Sequence, residues 1–225
     1  AWVYFKVDGN GEDRIDVGLT HYDWASAPSP YRDIRFVAFD GETCRAADGE
    51  HLGAVEDGPR PYKECPIVYD SAETRYFSWI WDCATYEAGP AVAYAELRND
   101  DEHRYRCAWW RDGEWRDVEV AHGGRNIRPE RVGAYSGGIY LDHDDPGVCY
   151  VSTGDHDGSW IQRWSTPDSG RTWEVTDLTD DREQNVRPVV PRNRHDDLAV
   201  VWMRGRYDYY ADQEYDTALV SDGVD

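Results

Sequence analysis

A hairpin with one recurring order of residues restricts the fold of this chain more than any other feature. In "RFVAFDGETCR", "CAWWRDGEWRD" and "QRWSTPDSGRTWE", a run of alternating residues is followed by a turn and a second such run. The turns are centred on Asp40-Gly41, Asp112-Gly113 and Asp168-Ser169-Gly170. An Asp-Gly pair between alternating apolar runs is a strong signal of a β-hairpin, because its turn needs residues that tolerate positive φ. The repeated hairpin predicts antiparallel β-structure.

The rest of the chain supports an all-β fold. Short aromatic-rich runs alternate with polar residues, and no segment keeps an apolar period of 3.6 residues. Each hairpin follows one or two earlier strands, so the repeat holds about four strands. A β-sandwich is the alternative, but it gives no reason for the repetition. We therefore predict one domain over 1–225, a β-propeller of four-stranded antiparallel blades or the C-terminal part of one. The blades are expected near 14–60, 70–121, 134–178 and 184–220, with an extra strand at 1–8.

The third hairpin contains a recognisable turn motif. Thr166 to Trp173 follows the Asp-box order of Ser or Thr, x, Asp, x, Gly, x, Thr, Trp. Asp168 is expected to accept hydrogen bonds from backbone N–H groups inside the turn, and Gly170 to supply a backbone angle that other residues resist. Trp173 is expected to fill space between sheets. Turn chemistry accounts for each residue, so we interpret the motif as structural and look for the chemistry elsewhere.

The charge of the chain limits its partners. The formal net charge is −21, and Lys6 and Lys63 are the only lysines. Such a surface predicts no nucleic-acid binding and no association with anionic membranes, because both need basic clusters. No apolar run approaches the length of a membrane helix, so no membrane insertion is expected. The even spread of acids indicates adaptation to high salt, where screening removes self-repulsion.

The five cysteines are irregularly spaced and contain no CxxC pair. Their odd number leaves at least one thiol free or paired outside the chain. Most lie in apolar strand-like runs, where a buried free thiol is the expected state. The chain shows no signal peptide and begins inside a strand pattern, which indicates a mature, trimmed or partial chain.

Two histidines bracket the second hairpin. His103 begins "HRYRCAWW" and His122 ends "DVEVAHGG", so antiparallel pairing brings both to the end of the blade remote from the turn. The following loop carries Arg125, Arg128 and Tyr135 to that end. A histidine pair with a tyrosine and arginines suits carboxylate binding and proton transfer near neutral pH. The alternative is a solvated loop with incidental histidines.

A second acidic stretch is a candidate for metal binding. The carboxylates of "LDHDDPG" could bind Ca²⁺, although Asp-Pro-Gly is also an ordinary turn in an acidic protein, which we favour. No cofactor is required, and a structural divalent ion, Ca²⁺ or Zn²⁺, is left open.

Several of these segments together resemble a known family. "RYRCAWWRDGEWRDVEVAHGG", "YSGGIYLDHDDPGVCYVS", "WSTPDSGRTWEV" and "LAVVWMRGRYDYY" look like the BNR-4 group of propeller proteins, and the likeness covers nearly the whole chain. That group includes ulvan lyase-type polysaccharide lyases and secreted proteins without an assigned activity. The resemblance implies a secreted or cell-surface protein, and a seven-bladed propeller of which this chain is the C-terminal part or a trimmed version.

The resemblance also implies a lyase site of two histidines, a tyrosine and an arginine. The histidines would be His103 and His122 and the tyrosine Tyr135, while the arginine is expected just after "YVS", where this chain has Thr153. Arg125, Arg128 or Arg163 would take its place. The resemblance thus implies β-elimination on an acidic, uronate-containing polysaccharide, with His122 and Tyr135 transferring protons and His103 holding the carboxylate. A carbohydrate-binding propeller without catalysis, favoured by Thr153, and a sialidase-type glycosidase are the alternatives.

Overall fold

The computed structural model describes residues 2–22, 32–58, 60–99, 101–127, 135–195, 197–207 and 215–222, without the side chains of residues 2 and 22. In these ranges the chain is all-β, as predicted, and the only helices are single turns. The strands are β1 (Trp2–Gly9), β2 (Ile15–Tyr22), β3 (Ile34–Phe39), β4 (Thr43–Arg45), β5 (His51–Ala54), β6 (Ile67–Tyr69), β7 (Phe77–Tyr86), β8 (Gly89–Asn99), β9 (Glu102–Arg111), β10 (Glu114–Gly124), β11 (Ile139–Leu141), β12 (Val148–Asp155), β13 (Gly158–Ser165), β14 (Glu174–Asp177), β15 (Asn185–Val189), β16 (Val201–Arg206) and β17 (Asp216–Ser221). The helical turns are the 3₁₀ segments Val55–Asp57 and Tyr62–Glu64 and the α-helical turn α1 (Ser71–Thr74).

The strands form three sheets. The first has the order β1-β2-β3-β4-β5, with β6 on β3, and β1 pairs with β2 along its whole length. The second has the order β14-β13-β12-β10-β9-β8-β7, with β11 on β12, and the third has the order β15-β16-β17. One parallel pair, Gly124 with Gly154, joins β10 to β12 within the second sheet.

The chain divides into two compact units with separate apolar cores. Unit 1 comprises residues 1–96 and 107–118, and unit 2 comprises residues 97–106 and 119–225. The core of unit 1 contains Ile34, Phe36, Ile80, Val92 and Tyr94, all at most 1% exposed. In unit 2 one cluster is built on Val148, Tyr150, Ile161, Val190, Val200 and Trp202, and another on Ile127, Val186 and Tyr207. In the described part of the chain no helix is long and apolar enough to cross a membrane.

The predicted turns lie between antiparallel strands. Asp112 and Gly113 have φ angles of 53° and 83° and form the two-residue connection between β9 and β10, where positive φ at both residues matches strand twist. Asp40 connects β3 to β4, and its Oδ1 accepts hydrogen bonds from the N–H groups of Glu42 and Thr43 at 3.1 and 2.7 Å. Local side-chain chemistry therefore sets these connections.

The Asp168 turn shows the predicted hydrogen bonds. Its Oδ1 accepts from the N–H groups of Arg171 and Thr172 at 3.0 and 2.8 Å, and its Oδ2 accepts from the Thr172 hydroxyl at 2.8 Å. The Thr166 hydroxyl receives the N–H of Gly170 at 2.8 Å. Trp173 is half-buried and packs edge-on against Trp164 of the adjacent strand β13, with ring centroids 6.0 Å apart. This contact joins Trp173 to a neighbouring strand, and its position between sheets stays a prediction.

Asp168→Ala is expected to lower the melting temperature at neutral pH. The hydrogen bond from the Thr172 N–H leads the interactions that lower the pKa of Asp168. A lowered folded-state pKa means that the stabilisation is complete above the unfolded pKa of about 3.9 and is lost as pH falls through the folded value. The difference in melting temperature from wild type should narrow below about pH 4. Scanning calorimetry from pH 7 to 3 measures this, with exposed Glu174→Ala as control; a constant difference would contradict it.

Gly124 lies at the closest approach of β10 to β12. A Cβ atom there would lie 2.0 Å from the carbonyl oxygen of Gly154, and the residue has a φ of 86°. Gly113 has a similar φ, but open space surrounds its Cβ position. We expect Gly124→Ala to lower the free energy of unfolding by about 3 kcal/mol or more, against about 1 kcal/mol for Gly113→Ala, because only the first adds a clash to backbone strain. Urea unfolding of both variants tests this; equal losses would contradict the steric argument.

Candidate functional site

The histidine pair lies on the second hairpin, within unit 2. His103 is the second residue of β9 and is 1% exposed, whereas His122 lies near the end of β10 and is exposed. Both are at the end of the hairpin remote from Asp112-Gly113, as expected from antiparallel pairing. The Nδ1 atom of His122 accepts a hydrogen bond from the N–H of Gly124 at 3.1 Å. The two imidazoles therefore differ sharply in access to solvent.

Tyr105 follows His103 on the same face of β9 and is completely buried. Its hydroxyl donates to the carbonyl of Ser152 at 2.9 Å and accepts from the N–H of Gly138 at 2.7 Å. Burial raises the pKa of Tyr105 to about 12. A Cβ atom on Gly123 would lie 2.9 Å from its ring, so glycine in "AHGG" allows β10 to close over the tyrosine. Tyr105 is thus a fixed structural phenol, unsuited to accept a proton near neutral pH.

Tyr135 belongs to a group of aromatic rings around one arginine. Its hydroxyl oxygen lies 3.0 Å from that of Tyr207, and the two rings are nearly parallel with centroids 6.4 Å apart. Tyr215 continues the stack, its centroid 5.7 Å from that of Tyr207. The guanidinium carbon of Arg187 lies 4.8 Å from the Tyr135 centroid and 5.5 Å from that of Tyr207. We call Tyr135, Arg187, Tyr207 and Tyr215 the Tyr–Arg cluster.

The backbone of Arg187 holds a conformation that side chains rarely adopt. Its φ is 60°, although it is an arginine within strand β15. Its N–H donates to the carbonyl of Gly137 at 2.8 Å, which ties it to the segment that follows Tyr135. A non-glycine residue in the left-handed region costs about 1 kcal/mol or more, and such strain concentrates at functional sites. With this backbone conformation the Arg187 guanidinium lies close to the rings of Tyr135 and Tyr207. Burial raises the pKa of Tyr105, and the charge of Arg187 lowers it slightly in opposition.

The predicted substrate-binding arginines have separate surroundings. Arg125 is exposed and forms an ion pair with Asp101 at 2.6 Å. Arg163 lies on β13, where its side chain donates to Tyr150 and lowers the pKa of that phenol against the stronger effect of burial. Arg128 lies outside the described residues. Thr153 is half-buried on β12 and pairs with Trp160. Arg125 is thus engaged by Asp101 and Arg163 by Tyr150.

The acidic stretch after β11 behaves as a turn. Both carboxylate oxygens of Asp142 accept from Arg194, at 3.1 and 3.0 Å, and the N–H of Gly147 donates to Asp145 Oδ1 at 2.8 Å. The Asp142 carboxylate is thus neutralised by arginine. One other group, Asp155, His156 and Asp157, offers ligand atoms within 4.8 Å of one another. His156 and Asp157 are exposed, and His156 already contacts Asp157 at 3.2 Å, so we assign no ion to the group.

Two solved structures share the fold. One is an ulvan lyase, described as a new family of polysaccharide lyase and bound to -[GlcA(1-4)Rha3S]-; its TM-score is 0.69 at 15% identity, over 98% of this chain and 51% of that chain. The other is an α-L-arabinanase of Penicillium chrysogenum in complex with arabinobiose, with a TM-score of 0.54 at 11% identity, over 97% of this chain and 61% of that chain. This chain therefore spans about half the length of the lyase. No protein-family model matches the sequence, and no curated protein matches it either.

Likeness at these identities is evidence of the fold alone. Both neighbours are of the β-propeller type, so the architecture is all-β and propeller-like. Closure of the sheets into a ring and a total of seven blades stay predictions.

Sequence reasoning predicted Tyr135 as a site residue but did not name the residues that contact it. Arg187 stands in "NVRPVV", a charged residue inside an apolar strand run, and this is the signal that could have singled it out. Tyr207 and Tyr215 lie within the tyrosine-rich run 206–216, but only folding shows that Tyr207 contacts Tyr135 and that Tyr215 contacts Tyr207.

Proposed function

We propose that this chain is part of a polysaccharide lyase that cleaves a uronate-containing acidic polysaccharide by β-elimination, with the Tyr–Arg cluster at its centre. The observation that supports it best is the position of the Arg187 guanidinium, 4.8 Å from the centroid of the Tyr135 ring. The hydroxyl of Tyr135 is also hydrogen-bonded to the hydroxyl of Tyr207. The likeness of fold to an ulvan lyase bound to a glucuronate-containing sugar is consistent with it. Secretion into a salty medium, and acidic polysaccharide as the partner, belong to the same proposal.

The reaction requires three functions. The sugar carboxylate must be neutralised, so that the proton on the adjacent ring carbon becomes acidic. A base removes that proton, and its electron pair forms a carbon–carbon double bond while the neighbouring carbon–oxygen bond breaks. An acid then protonates the departing glycosidic oxygen. The products are a new chain end with a hydroxyl group and an unsaturated uronate.

The Tyr–Arg cluster has groups for two of these functions. We assign the substrate carboxylate to Arg187, because His103 is 1% exposed and the charge of an arginine persists at all working pH values. Tyr135 is the proton acceptor: the adjacent guanidinium stabilises its phenolate, and Tyr207 supplies a hydrogen bond. His122 is exposed and is our candidate for the acid that protonates the leaving oxygen. The buried His103 is given no part in the reaction.

Tyr135→Phe tests the assignment. We expect turnover of a glucuronate-containing polysaccharide, followed by the ultraviolet absorbance of unsaturated uronate, to fall by about 10²–10⁴-fold, because the variant lacks the proton-accepting oxygen. Substrate binding should be largely kept, because the base acts mainly in the transition state.

The control is Tyr215→Phe, which keeps the ring stack but removes a hydroxyl with no assigned role. It should retain most turnover. Equal activity of Tyr135→Phe and wild type would contradict the role of Tyr135. If wild type binds the polymer without forming unsaturated product, the lyase proposal is wrong. The stacked rings of the cluster then support a non-catalytic carbohydrate-binding propeller, the second candidate.

A further inference from the structure

Two of the five cysteines of the chain line the same small cavity. Cys44 on β4 and Cys65, which follows the 3₁₀ turn Tyr62–Glu64, line a cavity of about 200 Å³ in unit 1 together with Arg60. Both cysteines are free thiols. Burial raises the pKa of the Cys65 thiol, and the charge of Cys44 raises it further.

Arg60 lies beside both thiols. Cys44 pairs directly with Gly53 of β5, and a Cβ atom on Gly53 would meet the Arg60 guanidinium at 2.5 Å, so the cation covers the strand opposite Cys44. Burial has the largest effect on the pKa of Cys65 and raises it, Arg35 and then Arg60 lower it, and Glu64 raises it. A neighbouring guanidinium stabilises thiolate, the form in which sulfur reacts. Arg60 is held in place by Glu64, with Nη1 and Oε2 3.1 Å apart.

The two thiols differ in access. Cys65 is buried, and the guanidinium of Arg35 donates a hydrogen bond to the backbone carbonyl of Cys65 at 2.5 Å. Cys44 is half-exposed and also lines an open cleft of about 580 Å³ that contains Arg60 and Glu64. An oxidant in solution therefore reaches Cys44 first, with Cys65 behind it.

We propose that Cys44 and Cys65 form an intramolecular disulfide when the protein meets a disulfide oxidant such as oxidised glutathione. The Cys44 thiolate attacks the oxidant, giving a mixed disulfide and one molecule of glutathione. The Cys65 thiolate then attacks the Cys44 sulfur and releases the second glutathione, so two protein thiols are oxidised and one glutathione disulfide is reduced. The new bond links the β4–β5 hairpin to the segment that precedes β6.

The disulfide would cross-link two segments of the first sheet, which contains β1 to β6. A disulfide that closes a loop of about 20 residues restricts the unfolded chain, and for a protein of this size it should raise the melting temperature by roughly 5–10 °C. Such bonds persist in oxidising compartments.

The experiment counts thiols and maps the link. The full chain is reduced, freed of reductant, incubated with oxidised glutathione and unfolded in denaturant before thiol titration and peptide mass spectrometry. We expect three titratable thiols instead of five, and one linked pair of peptides containing Cys44 and Cys65. Cys83→Ser, at a completely buried position, is the matched control and should still lose two thiols. Cys44→Ser should lose none.

Arg60→Gln gives a readout that a purely structural role would not change. Disulfide formation should slow by roughly 3–10-fold at neutral pH, and the difference should shrink as the pH is raised, because hydroxide then removes the thiol protons with less help from the cation. Five remaining thiols, a link between other cysteines, or a glutathione adduct that stays on Cys44 would each overturn the proposal. The wild-type peptide map decides the matter even if a variant folds poorly.

Discussion

Replacing Arg187 with glycine is expected to reduce turnover of a uronate polymer by on the order of 10²–10³-fold while leaving the fold intact. The variant lacks the preorganised cation that stabilises the negative charge developing on the substrate in the transition state. Glycine is the informative substitution because Arg187 has a φ of 60°, a conformation that glycine adopts without strain. The relief of about 1 kcal/mol offsets the lost contacts with the rings of Tyr135 and Tyr207, each worth about 0.5–1 kcal/mol.

Steady-state kinetics and thermal melting of the same preparations test this expectation. Arg187→Lys keeps a positive charge but not the planar guanidinium, so an intermediate loss is expected. Arg171→Gln removes an exposed cation from the Asp168 turn and should leave turnover unchanged. If Arg187→Gly melts like wild type and retains full turnover, Arg187 does not hold the carboxylate. A large drop in melting temperature would instead show that the cluster is structural.

The stability of the protein is expected to rise strongly with salt. The chain has 45 acidic residues and 24 Lys and Arg residues, so 21 acids are left over even if every cation forms an ion pair. Molar salt shortens the screening length to about 3 Å and removes the repulsion among them. It also weakens exposed ion pairs such as Arg116–Asp112, but such pairs contribute only about 0–1 kcal/mol each. We expect the melting temperature to increase by on the order of 10 °C between dilute buffer and molar KCl.

A variant of unit 1 separates screening from other effects of salt. Unit 1 has exposed glutamates at Glu12, Glu50, Glu56 and Glu73. Changing all four to Gln makes the net charge less negative, from −21 to −17. This variant should melt higher than wild type in dilute buffer and respond less steeply to KCl. A wild-type melting temperature that stays constant or falls with salt would contradict self-repulsion and would mean that the acids are stabilised by their neighbours.

The turns show how far sequence alone reaches. Asp112 and Gly113 close the β9–β10 hairpin, and Asp168 accepts the hydrogen bonds expected inside its own turn. These features involve residues within a few positions of each other, so the physics that decides them is present in the local sequence. The all-β class is predictable for the same reason, because a period of two residues is a local property of each strand.

The histidines mark the limit of that reasoning. Antiparallel pairing predicts that His103 and His122 lie at the same end of one hairpin, and they do. The alternation along β9 also groups His103 with Tyr105, but the complete burial of both depends on what packs over the hairpin. Gly123 leaves room for the Tyr105 ring. The backbone carbonyl of Ser152, 47 positions further along the chain, accepts a hydrogen bond from the Tyr105 hydroxyl. Such contacts have no local signature.

The sequence by itself determined the β-class and the turns, and it made Tyr135 a candidate; only the tertiary structure decided which residues surround that tyrosine. Arg187 is 52 positions from Tyr135, and Tyr207 is 72 positions away. Their meeting depends on the register of β15 and on one left-handed backbone angle that turns the guanidinium towards the rings. The same holds for Cys44 and Cys65, whose irregular spacing predicts no partner. Periodicity and turn preference act over a few residues, whereas a site is assembled by the packing of distant strands, which depends on the whole chain at once.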